Sequence, residues 1–215
     1  MTILGQSAFF MMIASLTVGC ASVPETRFYT LSAGSESFEI KALPRDLSTP
    51  IFIDILPVDV PERLARPQLV VHSRDSGPAT QLFILEQDRW SSPFNYELRD
   101  AFASGIANLT GAVNRARRGR TPDQIVYRIA IELSQFDAII DDSVKARFGW
   151  TITRPADVRS AACYAVITEP VAPGVEGVVG GVQRVVASVV AGISKNVIEL
   201  DMGNVPTCAA QKEAL

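Results

Sequence analysis

Residues 176–200 read EGVVGGVQRVVASVVAGISKNVIEL and form the longest regular pattern in the sequence. Valine or isoleucine recurs in it every three or four residues, at positions 178, 182, 185, 189, 193 and 197. Arg184, Ser188 and Lys195 keep to another face. This period predicts one long amphipathic helix that buries its apolar face. The β-branched content lowers helix propensity and makes a strand the competing interpretation, but the length and the period favour the helix.

Three strand-like segments come before this helix, at about 124–139, 143–153 and 160–168. Long strands in direct succession indicate antiparallel hairpins. A second helix precedes them, because the apolar residues between Phe94 and Leu109 recur at helical spacing. We expect Ser92 to cap this helix and Pro93 to occupy its first position.

The N-terminal half is predicted to supply shorter strands, at 27–31, 51–58, 68–73 and 81–86, with a turn or short helix at 61–64. The order of elements is then strands, helix, strands, helix. We predict an α/β (α+β) fold with a single mixed, largely antiparallel sheet backed by two long helices. Residues 27–202 would form one domain without an internal repeat, and residues 203–215 a C-terminal tail.

The composition of the 215-residue chain excludes several functions. With 47% hydrophobic and 20% charged residues, the chain can bury a real core, and its formal net charge of −3 gives no general attraction to nucleic acid. We find no run of about 20 apolar residues beyond the N-terminus, which excludes a polytopic membrane protein. His72 is the only histidine, so zinc sites built from several imidazoles and catalytic dyads are disfavoured, and His72 is interpreted as structural. We therefore expect no enzyme activity, no cofactor, no metal and no nucleic-acid partner.

Two other groups of residues have simple structural explanations. Asp137, Asp141 and Asp142 lie near a predicted hairpin, where turn chemistry explains them better than a divalent ion does. Four glycines near the last helix lack the spacing of a phosphate-binding or dinucleotide-binding loop. We expect these glycines to allow close helix packing: Gly174, Gly177, Gly180 and Gly181.

The N-terminus is typical of an exported protein. Its first nineteen residues contain no charged side chain, and residues 8–18 form an apolar run of the length found in signal peptides. The run ends in Leu16-Thr17-Val18-Gly19-Cys20, which resembles a bacterial lipoprotein box. Residues 1–19 would then be a lipoprotein signal peptide, Cys20 the lipidated N-terminus, and residues 20–26 a tether that holds the protein on a membrane. The alternative is an ordinary secreted leader, or a short anchor, with an incidental cysteine.

If Cys20 carries the lipid anchor, two cysteines remain, Cys163 and Cys208. An even pair in an oxidising compartment suggests a disulfide, which would join the tail to a strand. The alternative is two free cysteines, since sequence alone does not show proximity.

Two segments are candidates for contact with a partner. Trp90 stands between opposite charges at a strand-to-helix junction, so Arg89, Trp90 and Pro93 form a candidate partner interface, although Trp90 could equally cover the core. A basic loop could contact phosphates or an acidic partner, with a solvated loop as the alternative. Its arginines are Arg115, Arg117, Arg118 and Arg120.

Three stretches together resemble the PqiC family of ABC-type transport auxiliary lipoproteins. They accompany the lipoprotein box and are Arg27-Phe28-Tyr29-Thr30-Leu31, the segment from Pro57 to Val70 that contains Val60-Pro61-Glu62-Arg63-Leu64-Ala65-Arg66-Pro67-Gln68, and Arg89-Trp90-Ser91-Ser92-Pro93-Phe94. The resemblance covers roughly residues 20–200. The sequence departs from the family pattern at Arg63, at Phe94 and in having two extra cysteines.

The resemblance implies an outer-membrane lipoprotein facing the periplasm that works with an MCE-domain protein, an ABC permease and an ATPase in lipid transport between membranes. Ala21 agrees with this location, because Asp after the cysteine is typical of retention at the inner membrane. Membrane attachment would be through the N-terminal lipid, and the domain could form a homo-oligomeric ring. Two alternatives are a periplasmic lipid carrier, with an apolar pocket between the sheet and helix 176–200, and a lipoprotein activator of a cell-wall synthase.

Overall fold

The computed structural model describes residues 24–32, 50–72, 81–114, 125–154 and 159–208. The helices are α1 (Phe94–Thr110) and α2 (Gly174–Asp201), and a 3-10 helix covers Glu62–Leu64. The predicted order of strands, helix, strands, helix is confirmed. The strands are β1 (Arg27–Tyr29), β2 (Phe52–Ile55), β3 (Gln68–Val71), β4 (Phe83–Trp90), β5 (Val113–Asn114), β6 (Val126–Ile139), β7 (Ser143–Thr153) and β8 (Ser160–Pro170).

These strands form two sheets, so the α/β class holds but the predicted single sheet is wrong. The larger sheet has five strands in the order β5-β2-β6-β7-β8, and the smaller has three in the order β1-β4-β3. The β6–β7 and β7–β8 pairs are antiparallel, as predicted, whereas β2 runs parallel to both β5 and β6. In the smaller sheet β1 is parallel to β4, and β3 is antiparallel to it.

The sheets separate because β2 stops pairing early along β6. β2 pairs with residues 126–129 of β6 and ends before Pro57, which has no N–H to donate to a ladder. Two later residues still bond to β6: the N–H groups of Asp59 and His72 donate to its carbonyl oxygens at 3.0 and 2.7 Å. His72 therefore joins the end of β3 to β6, in agreement with its structural interpretation.

The long helix α2 packs against β6, β7, β8 and α1. All six residues of the predicted valine and isoleucine stripe are buried, with 0 or 1% of their surface exposed. By length and composition α2 could cross a membrane, but most of its apolar window is buried inside the protein. Its apolar face is thus occupied by the sheet and by α1.

Close packing at the start of α2 requires two of the four glycines. A Cβ on Gly177 would lie 1.7 Å from the carbonyl oxygen of Ala172, and a Cβ on Gly181 would lie 2.5 Å from Cγ1 of Val171. Gly174 has a different role, since its φ of +83° lies in the left-handed region that favours glycine. Gly180 has no such need, because the nearest atom to its Cβ position is a guanidinium nitrogen of Arg184 at 3.5 Å.

A disulfide joins the two cysteines that remain after Cys20. Cys163 lies in β8 and Cys208 in the tail, and their sulfur atoms are 2.03 Å apart. Hydrogen bonds also hold the tail on α2: the Thr207 N–H donates to the Glu199 carboxylate at 2.8 Å, and the Asn196 amide donates to the Thr207 carbonyl at 3.0 Å. The tail is therefore attached to both the helix and the edge strand.

Adding one methyl group at two neighbouring glycines separates packing from helix propensity. We expect Gly181→Ala to lower the free energy of unfolding by about 1–3 kcal/mol, because the added Cβ meets Val171. Gly180→Ala is the control and should raise it by up to about 1 kcal/mol, since alanine favours helix and nothing obstructs it. Urea unfolding measures both values, and a stabilising effect at Gly181 would contradict the close packing.

Removing the disulfide should destabilise the fold, because the bond joins two residues that are 45 positions apart in sequence and closes the loop between them. We expect Cys208→Ser to cost about 2–4 kcal/mol of unfolding free energy, because the unfolded chain regains loop entropy. A non-reducing tryptic map should yield a joined Cys163–Cys208 peptide from the unaltered protein. Its absence, together with equal stability with and without a reductant, would show that the two cysteines are free in the folded protein.

Candidate functional site

The three segments on which the family resemblance depends meet at one place in the fold. The chain passes from β4 into α1 there, and its backbone bonds to the other two segments. The Ser91 N–H donates to the Tyr29 carbonyl at 2.7 Å, and the Trp90 N–H donates to the Pro67 carbonyl at 2.6 Å. The residues that looked like separate motifs in sequence thus form one structural unit.

The carboxylate of Glu97, on the first turns of α1, lies at the centre of this unit. It is buried, with 6% of the residue exposed, and accepts four hydrogen bonds. Oε1 accepts from the hydroxyls of Ser91 and Ser92, at 2.5 and 3.0 Å. Oε2 accepts from the Thr30 hydroxyl and the Leu31 N–H, both at 3.0 Å. We call this arrangement the Glu97 junction.

The hydrogen bonds determine the ionisation of Glu97. Burial raises the pKa of its carboxyl group, but the bonds from Ser91, Leu31, Ser92 and Thr30 together outweigh burial and hold the pKa below its usual value. The folded protein thus contains Glu97 as a carboxylate at neutral pH. A carboxylate with a lowered folded pKa contributes stability above its ordinary pKa, and that stability is lost as the pH falls through the lowered value.

The Glu97 junction also explains why the predicted helix start is wrong in detail. Helix α1 begins at Phe94, and Pro93 is its N-cap. The Pro93 carbonyl accepts from the Tyr96 and Glu97 N–H groups, at 2.8 and 3.2 Å. Ser92 does not cap the helix, because its hydroxyl donates to Glu97 instead of accepting from a helix N–H.

A second buried carboxylate holds β1 to β4. Asp88 accepts a hydrogen bond from the Tyr29 hydroxyl at 3.1 Å and forms an ion pair with Arg27 at 2.8 Å. Burial and the hydrogen bond to Asp88 raise the pKa of Tyr29. Glu97 and Asp88 therefore fix the two ends of the short strand that directly follows the predicted tether.

Of the three residues predicted to contact a partner, Trp90 is buried, whereas Arg89 and Pro93 are partly exposed. Trp90 is 4% exposed and stacks on Phe94 at 5.2 Å between ring centroids, so its side chain leaves almost no surface for the predicted partner contact. Arg89 remains on the surface, where its Nε donates to the Glu86 carbonyl at 2.8 Å. Beside it on β1 is Phe28, which is 66% exposed. Pro93 is half-buried at the start of α1.

Other predicted residues have simple positions. Asp141 has a φ of +60°, and its carboxylate accepts from the Gly174 N–H at 2.7 Å, so it shapes a turn and the start of α2. Asp142 accepts from the Ser143 hydroxyl at 2.8 Å. Within the described ranges no group of three or more His, Cys, Asp or Glu could hold a metal ion. Cys20 and the loop with Arg115, Arg117, Arg118 and Arg120 lie outside the described residues.

The apolar pocket expected between the sheet and helix 176–200 is not found in the described parts of the chain. The cavity there has a volume of about 10 Å³. Its walls include Trp90, Phe94, Phe136, Val178 and Val182. Room for about one water molecule is far too little for an acyl chain, so this interior does not support a lipid carrier.

Sequence reasoning missed Glu97, although a signal for it exists. Glu97 is three residues after Phe94 and four before Ala101, which is the spacing of the apolar face of α1. A carboxylate on a buried face has to be paired with donors, and Ser91, Ser92 and Thr30 supply them. Thr30 and Leu31, which directly follow β1, are distant from Glu97 in sequence, so only the fold identifies them as donors.

Removing the Glu97 carboxylate should weaken the whole fold. Glu97→Ala leaves the buried Leu31 N–H without its acceptor, and we expect the free energy of unfolding to fall by about 2–3 kcal/mol at neutral pH. Glu132→Gln is the control, because that carboxylate is exposed and has no partner among the described residues, and its effect should stay within about 0.5 kcal/mol. Equal small effects in urea unfolding would contradict a central role for Glu97.

The pH dependence of stability provides a second test of the Glu97 junction. Because the folded pKa of Glu97 is lowered, the unaltered protein should lose stability as the pH falls below about 4, where the unfolded carboxyl becomes protonated first. Glu97→Gln cannot titrate there, and its stability should fall less steeply. Unfolding midpoints measured between neutral and acidic pH give both slopes, and identical slopes would assign the acid loss to other carboxylates.

The fold is shared with solved structures. The crystal structure of an uncharacterized protein matches with a TM-score of 0.59 at 18% sequence identity, and the match covers 81% of this chain and 99% of that chain. Protein XCC0632 from Xanthomonas campestris matches with a TM-score of 0.56 at 13% identity, over 76% of this chain and 94% of that chain. At these identities the likeness shows the fold alone. No curated protein matches the chain.

The comparison with protein families is more specific. A family model described as the ABC-type transport auxiliary lipoprotein component matches residues 29–194. The match contains Glu97, all of α1, the long β6–β8 strands and most of α2. The chain belongs to the family of ABC-type transport auxiliary lipoprotein components.

Proposed function

We propose that this protein is a membrane-anchored lipoprotein on the periplasmic side of the outer membrane, where it docks an MCE-type, ABC-driven lipid transport system. The family match over residues 29–194 carries this proposal. The lipoprotein box at Cys20 and the likeness to PqiC proteins support the finer assignment. The partners are an MCE-domain protein, an ABC permease and an ATPase, and the domain assembles as a homo-oligomer that docks the tip of the MCE assembly.

The way β1 is held suits a protein that works under tension from a lipid anchor. Residues 21–26 separate Cys20 from β1, and six residues span at most about 20 Å. The strand that follows is bonded to the body by the Asp88 carboxylate and by the Glu97 junction. A pull on the tether is therefore transmitted to α1, and the domain stays close to the membrane surface.

The domain has no chemistry of its own in this proposal. It acts through its surfaces, and Arg89 together with the arginine loop at residues 115–120 remains a candidate for partner contact. The lipid-carrier alternative loses support, because its expected pocket holds about 10 Å³. If the protein bound a cell-wall synthase and not transporter subunits, that result would favour the other alternative, a lipoprotein activator of a cell-wall synthase.

The lipid anchor can be tested with a tagged fatty acid. We expect an alkyne-bearing palmitate to label the unaltered protein, and Cys20→Ser to abolish the label and release the protein from the membrane. Cys208→Ser is the matched control and should retain full labelling. Equal labelling of the two variants would place the lipid elsewhere and contradict the anchor.

The membrane address depends on the residue after the anchor. In a density gradient the unaltered protein should sediment with the outer membrane, and Ala21→Asp should move it to the inner membrane. Recovery of the unaltered protein with the inner membrane would overturn the outer-membrane location.

The partner is tested by pull-down of the native lipoprotein from mildly solubilised envelopes. We expect mass spectrometry to identify an MCE-domain protein or ABC subunits among the strongest hits. Recovery of a cell-wall synthase, or of lipid without any protein, would reject the transport role.

A further inference from the structure

The larger sheet has one face covered by helices and one face that carries a groove. The groove has a volume of about 530 Å³ and crosses β6, β7 and β8. Its floor consists of small side chains, Ala130, Gly149, Thr151 and Ala162. The residues between Leu56 and Asp59 form one wall, and Tyr164 forms the other. We call this feature the Gly149 groove.

Gly149 is not explained by the packing of the described residues. A Cβ added there would have none of their atoms within 4 Å, and its φ lies outside the left-handed region. A glycine inside a strand costs about 0.5–1 kcal/mol relative to alanine, and such glycines often mark the close approach of a ligand or another backbone. Gly149 thus keeps open a position that no residue in the described ranges fills.

The charges at the groove are of one sign. Asp59 and Glu132 face each other across a β-bridge, and both are exposed. Neither carboxylate has a hydrogen bond or an ion pair within the described ranges. The groove walls contain no lysine or arginine, and the nearby Arg147 guanidinium packs over the Tyr164 ring at 4.9 Å. An occupant that pairs with the groove would be apolar and would carry a positive charge.

We propose that the Gly149 groove binds an apolar protein segment with a lysine or arginine that pairs with Asp59 and Glu132. The groove is open to solvent along its length, so an acyl chain would keep one side in water, whereas a protein segment brings its own body to cover the groove. That this segment belongs to a subunit of the transporter rests on the proposed function. The shape and the charge of the groove are observed independently of the proposed function.

The experiment places a photo-crosslinking benzoylphenylalanine at position 149 of the full-length lipoprotein in its native envelope. After irradiation, mass spectrometry maps the peptide joined to position 149. We expect a segment of an MCE-domain protein or ABC subunit with a basic residue among apolar ones. The same photo-residue at Lys145, on the same face of β7 but outside the groove, is the control and should give no such adduct.

A charge exchange tests the predicted pairing. Glu132→Lys should lower the yield of the adduct at least tenfold, and replacing the basic residue of the mapped segment by glutamate should restore it. Gly149→Trp should displace the partner in the envelope pull-down, whereas Lys145→Trp should not. Unchanged unfolding midpoints would show that these variants fold, as expected from the empty space above Gly149.

The possible results separate the groove from the proposed function. The groove assignment is overturned if position 149 is joined only to phospholipid, or to a protein segment that lacks a basic residue. It is also overturned if Glu132→Lys leaves the yield of the adduct unchanged. Recovery of transporter subunits in the pull-down without any adduct at position 149 overturns the groove and leaves the proposed function standing. A charge-dependent adduct with a different protein, together with a pull-down lacking transporter subunits, supports the groove and rejects the proposed function.

Discussion

The structure depends on one buried carboxylate that accepts four hydrogen bonds. Among the described residues Glu97 forms no ion pair, and its charge is stabilised by hydroxyl and amide dipoles from the residues just after β1 and from the β4–α1 connection. A buried charge without those donors would cost several kcal/mol. The arrangement is therefore specific: β1 can occupy only the register that brings Thr30 and Leu31 to Glu97. The segments that seemed conspicuous in the sequence are the ones that build this arrangement.

Local signals predicted the parts of the fold that repeat over many residues. The stripe from Val178 to Val197 predicted helix α2, and the direct succession of three long strand-like segments predicted the antiparallel strands β6, β7 and β8. Long-range constraints determined the rest. β2 stops pairing with β6 before Pro57, which separates the sheets, and His72 rejoins the smaller sheet to β6 after the whole of β3. Trp90 could serve the core or an interface, and only the packing against Phe94 decided for the core.

In the candidate site, too, local sequence predicted some features, and long-range contacts determined the others. Pro93 and the two serines were recognised as a helix entrance, but their actual acceptor is a residue one turn into the helix. The groove on the outer face had no signal in the sequence, because alternating small residues at Ala130, Gly149 and Ala162 belong to three different strands. Such a feature exists only once register is set. Among the described residues, the helix–sheet interface that could have held a lipid pocket leaves a cavity of about 10 Å³.

In the described parts of the chain, the filled helix–sheet interface and the firmly held strand β1 favour the proposed docking role over the lipid-carrier alternative. A carrier needs an interior that opens, whereas the buried residues here form one continuous apolar core from the small sheet to α2. A pull on the proposed tether would pass through β1 to Asp88, Glu97 and α1. Helix α1 packs on α2, which lies on the covered face of the five-stranded sheet. The Gly149 groove is on the other face of that sheet, so β1 and the groove belong to the same packed body. A segment held in the groove would therefore stay at a fixed distance from β1, the strand that follows the proposed tether.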